Sequence, residues 1–198
     1  MRIISGSAKG KQIKLPIDKK TRPLKDMVKE SLFNILNHSN LLDQNLRQCV
    51  VLDLFSGVGS FGIEAISRGV QKVVFYEEYD EAFTLLLQNL DSLNFIEKAD
   101  IKKKDVYKKN SFTNLQYKFD LVFIDPPFKD KNINLILDNL SESNILSSKT
   151  LIILHRKRSS NDKFVKYFNQ VREEIYGSSK IIFGFITWFI SETSDTAD

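Results

Sequence analysis

The sequence predicts an α/β fold built on a doubly wound, mostly parallel, seven-stranded sheet, and three observations predict it. Short apolar runs at 49–55, 72–77, 119–125 and 151–155 alternate with stretches of helical period such as 79–95, the pattern of successive βαβ units with right-handed crossovers. The first run opens into a glycine-rich turn at Gly57, Gly59 and Gly62. The run at 119–125 stops abruptly in Asp125-Pro126-Pro127-Phe128. Two prolines cannot continue a central strand, and each fixes its own φ. A carboxylate, a carbonyl and an aromatic ring are thereby held where the sheet's carboxyl edge meets solvent, the edge at which open α/β sheets bind ligands.

Taken in order, residues 2–5 and 11–15 read as two short strands of a hairpin between Gly6 and Gly10. Residues 16–23 form a linker of turn residues. A helix is expected over 24–37, with Met27, Leu32, Phe33, Ile35 and Leu36 toward a core and His38-Ser39-Asn40 as its stop. After the strand 49–55, residues 57–69 are loop and then helix, ended by Gly69. The strand 72–77 leads to the helix 79–95, striped with Phe83, Leu86, Leu87, Leu90 and Leu93. A weak third strand covers 100–104, a fourth 119–125, and a helix 133–140. A fifth strand covers 151–155, and a short helix 162–168. Residues 171–176 and 180–190 form a closing hairpin around Gly177-Ser178, antiparallel at or near one edge. Residues 193–198 are a polar, frayed tail. Trp188 is expected in core or edge packing. This divides the chain into a basic extension, 1–40, a catalytic domain, 41–192, and the tail.

The 198 residues suit one domain with a small appendage. No apolar run approaches the roughly 20 residues of a membrane span, and the basic N-terminus lacks the apolar stretch of a secretory signal. Cys49 is the only cysteine, which excludes an intramolecular disulfide and a cysteine zinc cluster. His38 and His155 have no acidic partner at metal spacing, so no metal is expected. The expected location is cytoplasmic. Residues 1–30 carry nine lysines and arginines against three acids, while the whole chain is only +4. A basic arm on a near-neutral body points to a polyanion such as nucleic acid; the competing reading is a solvated lysine-rich surface.

The segment from Asp53 to Gly62 contains a literal G-x-G-x-x-G, and Glu77 lies 20 residues after Gly57. This satisfies the dinucleotide fingerprint, so a nicotinamide-dependent oxidoreductase is a competitor. Two details oppose pyrophosphate. Asp53 stands just before the turn, where it repels phosphate but suits a cationic amine. Leu54-Phe55-Ser56 lengthens the passage to the first glycine. S-adenosyl-L-methionine, which has no phosphate, fits these groups: Glu77 at a strand end can accept both ribose hydroxyls, and Asp105 can meet the adenine amine. Asp105 also reads as an ordinary surface acid, and Glu77 as a helix-leading one.

Methyl transfer to an exocyclic amine needs a lone pair aimed in line at the methyl carbon, so positioning carries much of the catalysis. Asp125 and the Pro126 carbonyl can accept the amine's two hydrogens, and Phe128 offers a stacking face for a base turned out of its helix.

These stretches resemble N-methyltransferases of nucleic-acid bases. More closely, RIISG, TRP followed by VKESLFNIL, VLDLFSGVGSFGIEAISRG, DLVFIDPPF and YGSSKIIF resemble, in order and over nearly the whole chain, the bacterial 16S rRNA (guanine(966)-N(2))-methyltransferases. The resemblance implies a Rossmann-like class I S-adenosylmethionine-dependent fold and a substrate of 16S rRNA or a partly assembled 30S subunit; nothing in the sequence demands a dimer, and a monomer is expected. It implies that Asp125, Pro126, Pro127 and Phe128 are catalytic and hold the guanine. Asp53, Phe55, Ser56, Gly57 and Gly59 would surround the methionine end of the cofactor, with Glu77 at the ribose and Asp105 near adenine. Arg2, Lys9, Lys11, Lys14 and Arg22 would meet RNA, the extension covering the cofactor. Leu24 stands where the family commonly has threonine. The basic His155-Arg156-Lys157-Arg158 replaces an expected neutral or acidic strand end, as an added RNA contact or as a solvated loop. A DNA adenine N(6)-methyltransferase uses the same chemistry, but the chain has no room for a target-recognition insertion.

Overall fold

The computed structural model describes residues 1–16 and 24–187. Arg22, Trp188, most of the linker and the tail lie outside the described residues. The strands are β1 (Val50–Leu54), β2 (Lys72–Tyr76), β3 (Ala99–Lys102), β4 (Leu121–Ile124), β5 (Leu151–Lys157), β6 (Phe168–Tyr176) and β7 (Ser179–Ile186). The α-helices are α1 (Asp26–His38), α2 (Ser60–Ser67), α3 (Asp80–Ser92) and α4 (Ile133–Glu142). The strands form one sheet in the order β3-β2-β1-β4-β5-β7-β6. β1 to β5 pair in parallel; β7 runs antiparallel to β5 and to β6.

The central strands are mostly apolar because both faces are covered. Val51, Val73, Phe123 and Ile153 point to the side that packs against Phe33 of α1, Ile63 of α2 and Leu86 of α3. Their neighbours Leu52, Val74, Val122 and Ile152 point to the other side, against Ile136, Leu137 and Leu140 of α4 and Phe112 and Phe119.

One expected element is shortened and another does not form. The N-terminal hairpin is present as one antiparallel bridge, Arg2 with Gln12, closed by Ile3 N–H to the Lys11 carbonyl and Ile13 N–H to the Met1 carbonyl, both at 2.9 Å. It goes no further because the following N–H groups turn to α2. Ile4 and Ser5 donate to the Glu64 carboxylate at 2.8 and 3.0 Å, Ser7 to the Ser67 carbonyl at 2.8 Å, and Ala8 to Ser67 Oγ at 3.0 Å. Gly6, at φ +84°, lies so close that a Cβ there would stand 1.8 Å from the Ser67 carbonyl oxygen, so only glycine fits.

The helix expected over 162–168 is irregular chain with a turn at Lys166-Tyr167 that enters β6 at Phe168. Its hydrogen-bonding groups are taken by other elements. Asn134 of α4 accepts from Val165 N–H at 3.2 Å and donates to the Lys163 carbonyl at 2.8 Å, and Asp162 is held by Arg156 and Ser160.

Candidate active site

Strand order reverses between β1 and β4: β2 and β3 lie to one side of β1, β4 and β5 to the other. This switch point is where doubly wound sheets bind ligands. Leu54 pairs with Ile124, and Asp125 N–H reaches the Leu54 carbonyl at 3.3 Å. The glycine turn and Asp125-Pro126-Pro127-Phe128 therefore leave the sheet side by side. Between them lies a pocket of about 370 Å³. Its walls are Phe55 to Val58 and Ser60 of the first turn, Glu77 and Tyr79 after β2, Asp125 to Phe128, His155 of β5 and Ser179 of β7. Leu24, Lys25 and Val28, at the start of α1, close it from the N-terminal side. A second depression, bordered by Asp105 and Tyr107, shares Phe55, Glu77, Tyr79 and Pro127 with the first. The two make one continuous trough.

The turn is braced by its own polar groups. Phe55 adopts φ +58°, a left-handed conformation that non-glycine residues rarely take. Ser56 Oγ lies 2.7 Å from the Asp53 carbonyl and 3.0 Å from that of Tyr76. Glu77 accepts from Gly57 N–H at 2.7 Å and Tyr79 N–H at 2.8 Å. Burial raises the Glu77 carboxyl above its usual range, while those N–H bonds pull it back.

Asp53 does not line the pocket. It is buried, and its Oδ2 accepts from Gly62 N–H at 2.9 Å, in the first turn of α2. Desolvation holds its carboxyl well above the usual range, opposed by the Gly62 bond and reinforced by the charges of Asp125 and Glu77. Gly59 is likewise behind the wall. At φ +90° it packs against Leu86 and Ile63, and a Cβ would come within 2.6 Å of Leu86. Asp105 turns one oxygen to Tyr107 N–H at 2.9 Å.

The basic residues of the N-terminal segment stand away from the pocket wall. Arg2 Nε lies 3.5 Å from Asp26 Oδ2, Lys14 donates to Gln88 Oε1 at 3.2 Å, and Lys9 and Lys11 are exposed.

The strand end at 155–158 is neither a uniform basic patch nor a solvated loop. His155 and Arg156 are buried; Lys157 and Arg158 are exposed. His155 does have an acidic partner, with Nδ1 2.8 Å from Asp125 Oδ1. The sequence carried no local signal for this pair: β4 and β5 end in register, Ile124 beside Leu154, and that pairing sets residues 125 and 155 side by side although 30 positions apart. Among the described residues, no group of three or more His, Cys, Asp or Glu could hold a metal ion, and no helix is long and apolar enough to cross a membrane.

The family described as Conserved hypothetical protein 95 matches residues 1–185. The chain is also 33% identical over 163 residues to the ribosomal RNA small subunit methyltransferase D of Haemophilus influenzae, covering 80% of this chain and 79% of that one. It belongs to the small-subunit rRNA methyltransferase D family. The structure of yhhF from Escherichia coli superposes with a TM-score of 0.76 at 24% identity, over 95% of this chain and 99% of that one. An RNA methyltransferase of Salinibacter ruber, solved in complex with S-adenosyl-L-homocysteine, shares the fold with a TM-score of 0.63 at 16% identity, over 86% of this chain and 97% of that one. The fold of this family member is thus that of a Rossmann-like class I methyltransferase.

In this family member the loop after Asp125 is anchored from β5. Arg156 donates from Nη2 to the Asp130 carbonyl at 2.8 Å, and from Nη2 and Nε to the two oxygens of Asp162 at 2.7 and 3.0 Å. Asp130 N–H returns to the Pro127 carbonyl at 2.8 Å, and Tyr107 donates its hydroxyl to Asp130 at 2.6 Å. Burial pushes the Asp162 carboxyl up, but the bonds from Arg156 and Ser160 and the charges of Arg156 and Lys180 outweigh it and hold it below the usual range. Arg156→Ala takes the guanidinium from the largely buried Asp162 carboxylate, leaving it Ser160 and the more distant Lys180, and is expected to cost about 3 kcal/mol of stability in denaturant titrations. The sign with pH follows from the lowered carboxyl: the wild-type contribution is fully present above the unfolded-state value and is lost as pH falls through the folded one. The gap between wild type and variant therefore narrows in acid; a pH-independent gap would refute the ion-pair account.

Proposed function

We propose that this protein transfers a methyl group from S-adenosyl-L-methionine to the exocyclic N(2) amine of a guanine in 16S rRNA. The observation that carries this reading is one pocket bounded by both the glycine turn with Glu77 and by Asp125, Pro126 and Phe128. Small-subunit rRNA methyltransferase activity follows the family; the guanine amine is the finer proposal.

The residues present fit the cofactor. Glu77, Asp125, Glu78, Asp80 and Asp105 border the trough, against the cations Lys25 and Lys104. That acidic excess suits a sulfonium and an ammonium and repels a pyrophosphate, which disfavours the nicotinamide alternative. When bound, the cofactor supplies an electrophilic methyl carbon. Glu77 keeps acceptor capacity for the ribose hydroxyls beyond the backbone N–H groups of Gly57, Glu78 and Tyr79 that it already holds. Asp105, through its second oxygen, and Tyr107 would border the adenine. Asp53 acts through the turn: its bond to Gly62 fixes the start of α2 and so the shape of the methionine end.

Asp125 and the Pro126 carbonyl accept the amine's hydrogens and aim its lone pair. Positive charge grows on nitrogen as it attacks, so these acceptors bind the transition state more tightly than the ground state. Phe128, half-buried at the rim, takes the base on its face. The N-terminal extension, 1–40, covers the site through Leu24, Lys25 and Val28 and carries the basic residues toward RNA. Leu24 leaves that edge apolar, with no hydroxyl for the cofactor.

The test is transfer of labelled methyl from S-adenosyl-L-methionine to 30S particles, free 16S rRNA and DNA, with nucleoside analysis. N(2)-methylguanosine from a ribosomal substrate is expected; methyladenine in DNA would replace the proposal. Reversing charge at Lys9, Lys11 and Lys14 together is expected to weaken RNA binding and to flatten the log–log salt dependence by about 0.7 for each lysine that meets a phosphate of single-stranded RNA. An unchanged slope would return the arm to a solvated surface.

A further inference from the structure

His155 closes the pocket wall beside Asp125, and among the described residues the one polar contact of its side chain is Asp125. The residue is 6% exposed. An ionised carboxylate only accepts, so the proton between the two groups belongs on Nδ1. In the neutral imidazole with that tautomer, Nε2 is the acceptor. Nε2 is buried and has no hydrogen-bond partner among the described residues. Buried acceptors in folded proteins are nearly always paired, so an orphan in a pocket wall is suited to a ligand's donor. Phe128 stands edge-on to the imidazole, with ring centroids 5.5 Å apart and planes at 75°.

Two acceptors side by side suit a purine edge with two adjacent donors. Guanine presents its 2-amine next to N1–H; adenine presents its 6-amine next to an N1 lone pair. We propose that His155 is a base-reading residue: Asp125 holds it with the proton on Nδ1, and Nε2 accepts the N1–H of the target guanine while Asp125 and Pro126 take the amine. This rests on the guanine-amine reading above and extends it to the choice between purines. Adenine would set its N1 lone pair against that of Nε2, with no proton between them.

The experiment uses the full-length protein and an RNA substrate in which the target guanine is replaced by 2-aminopurine. That base keeps the 2-amine but has a lone pair at N1. The wild type is expected to methylate it roughly ten- to a hundredfold more slowly than guanine, as befits one buried hydrogen bond lost. His155→Asn sets an amide donor near the Nδ1 position but has nothing at Nε2. It is expected to be slower on guanine and to lose the discrimination. His155→Leu, which keeps bulk alone, should lose it as well. Equal rates of the wild type on both bases would overturn the proposal, and this comparison needs no variant to fold. Discrimination retained in His155→Asn would also overturn it, leaving His155 a positioning residue for Asp125. Failure of the guanine reading itself is separately visible as a wild type that makes no N(2)-methylguanosine from the unmodified RNA.

Discussion

Asp125→Ala is expected to lower kcat on the order of a hundred- to a thousandfold, the cost of removing one preorganised group from developing charge, while S-adenosyl-L-methionine binds near its wild-type affinity. Asp125 lies on the side of the pocket away from the Asp105 depression, at the end of β4 next to Phe128 and His155. Its assigned contact is the target amine, which becomes cationic only during transfer. Asp53→Ala is expected to do the reverse. It deletes the acceptor for Gly62 N–H inside the turn, so cofactor affinity falls first. Calorimetric titration with the cofactor and single-turnover methylation separate the two. Equal loss of cofactor affinity in both variants would refute the division of the pocket into a turn side and an amine side.

Glu64→Ala is expected to be the most destabilising single change at the N-terminal seam, by about 3–5 kcal/mol. The Glu64 side chain is fully buried and accepts from Ile4 N–H, Ser5 N–H and Arg68 Nε, with Lys29 Nζ 3.6 Å away. Lys29 is itself fully buried and donates to the Arg2 carbonyl at 2.9 Å. One carboxylate thus binds the N-terminal segment, α1 and α2 together. Removing it strands two backbone donors and an ammonium away from water. Desolvation already holds the Lys29 amine below the usual lysine range, opposed by Glu64 and Asp26, and losing Glu64 lowers it further. Between the folded and unfolded values the unfolded chain then binds more protons, so the variant gains stability as pH rises through that window. The deficit should be largest near neutrality and shrink in alkali. Fast hydrogen exchange at Ile4 and Ser5 in the folded variant is the accompanying local sign. Their continued protection would show that the segment is held by other contacts.

The parts of the site that follow the ends of parallel strands were legible early. Ser56, Gly57, Glu77, Asp125 and Phe128 all border the pocket, because each follows the end of a parallel strand and such ends share one edge. Asp53 was placed at that edge too, but a strand residue's direction depends on what packs against it, and Gly62 takes this carboxylate inward. The hairpin at 2–15 is shorter than expected and the helix at 162–168 is absent for one reason. Local pattern shows which backbone bonds a segment can make with itself, not that Glu64, Ser67 or Asn134 will take them first.

By itself, the sequence determined the doubly wound sheet, the order of its parallel strands along the chain, the turn at Gly57 and the rigid stop at Asp125. Hydrophobic period and proline and glycine geometry act over a few residues, so they survive being read in one dimension. Only the tertiary structure decided that β7 lies between β5 and β6, that Leu24 and Val28 close the pocket, and that His155 meets Asp125 while Arg156 is buried on Asp162. Each of these depends on which strands pair and in what register. A charged or polar side chain has no fixed role until that pairing brings it a partner or leaves it in water.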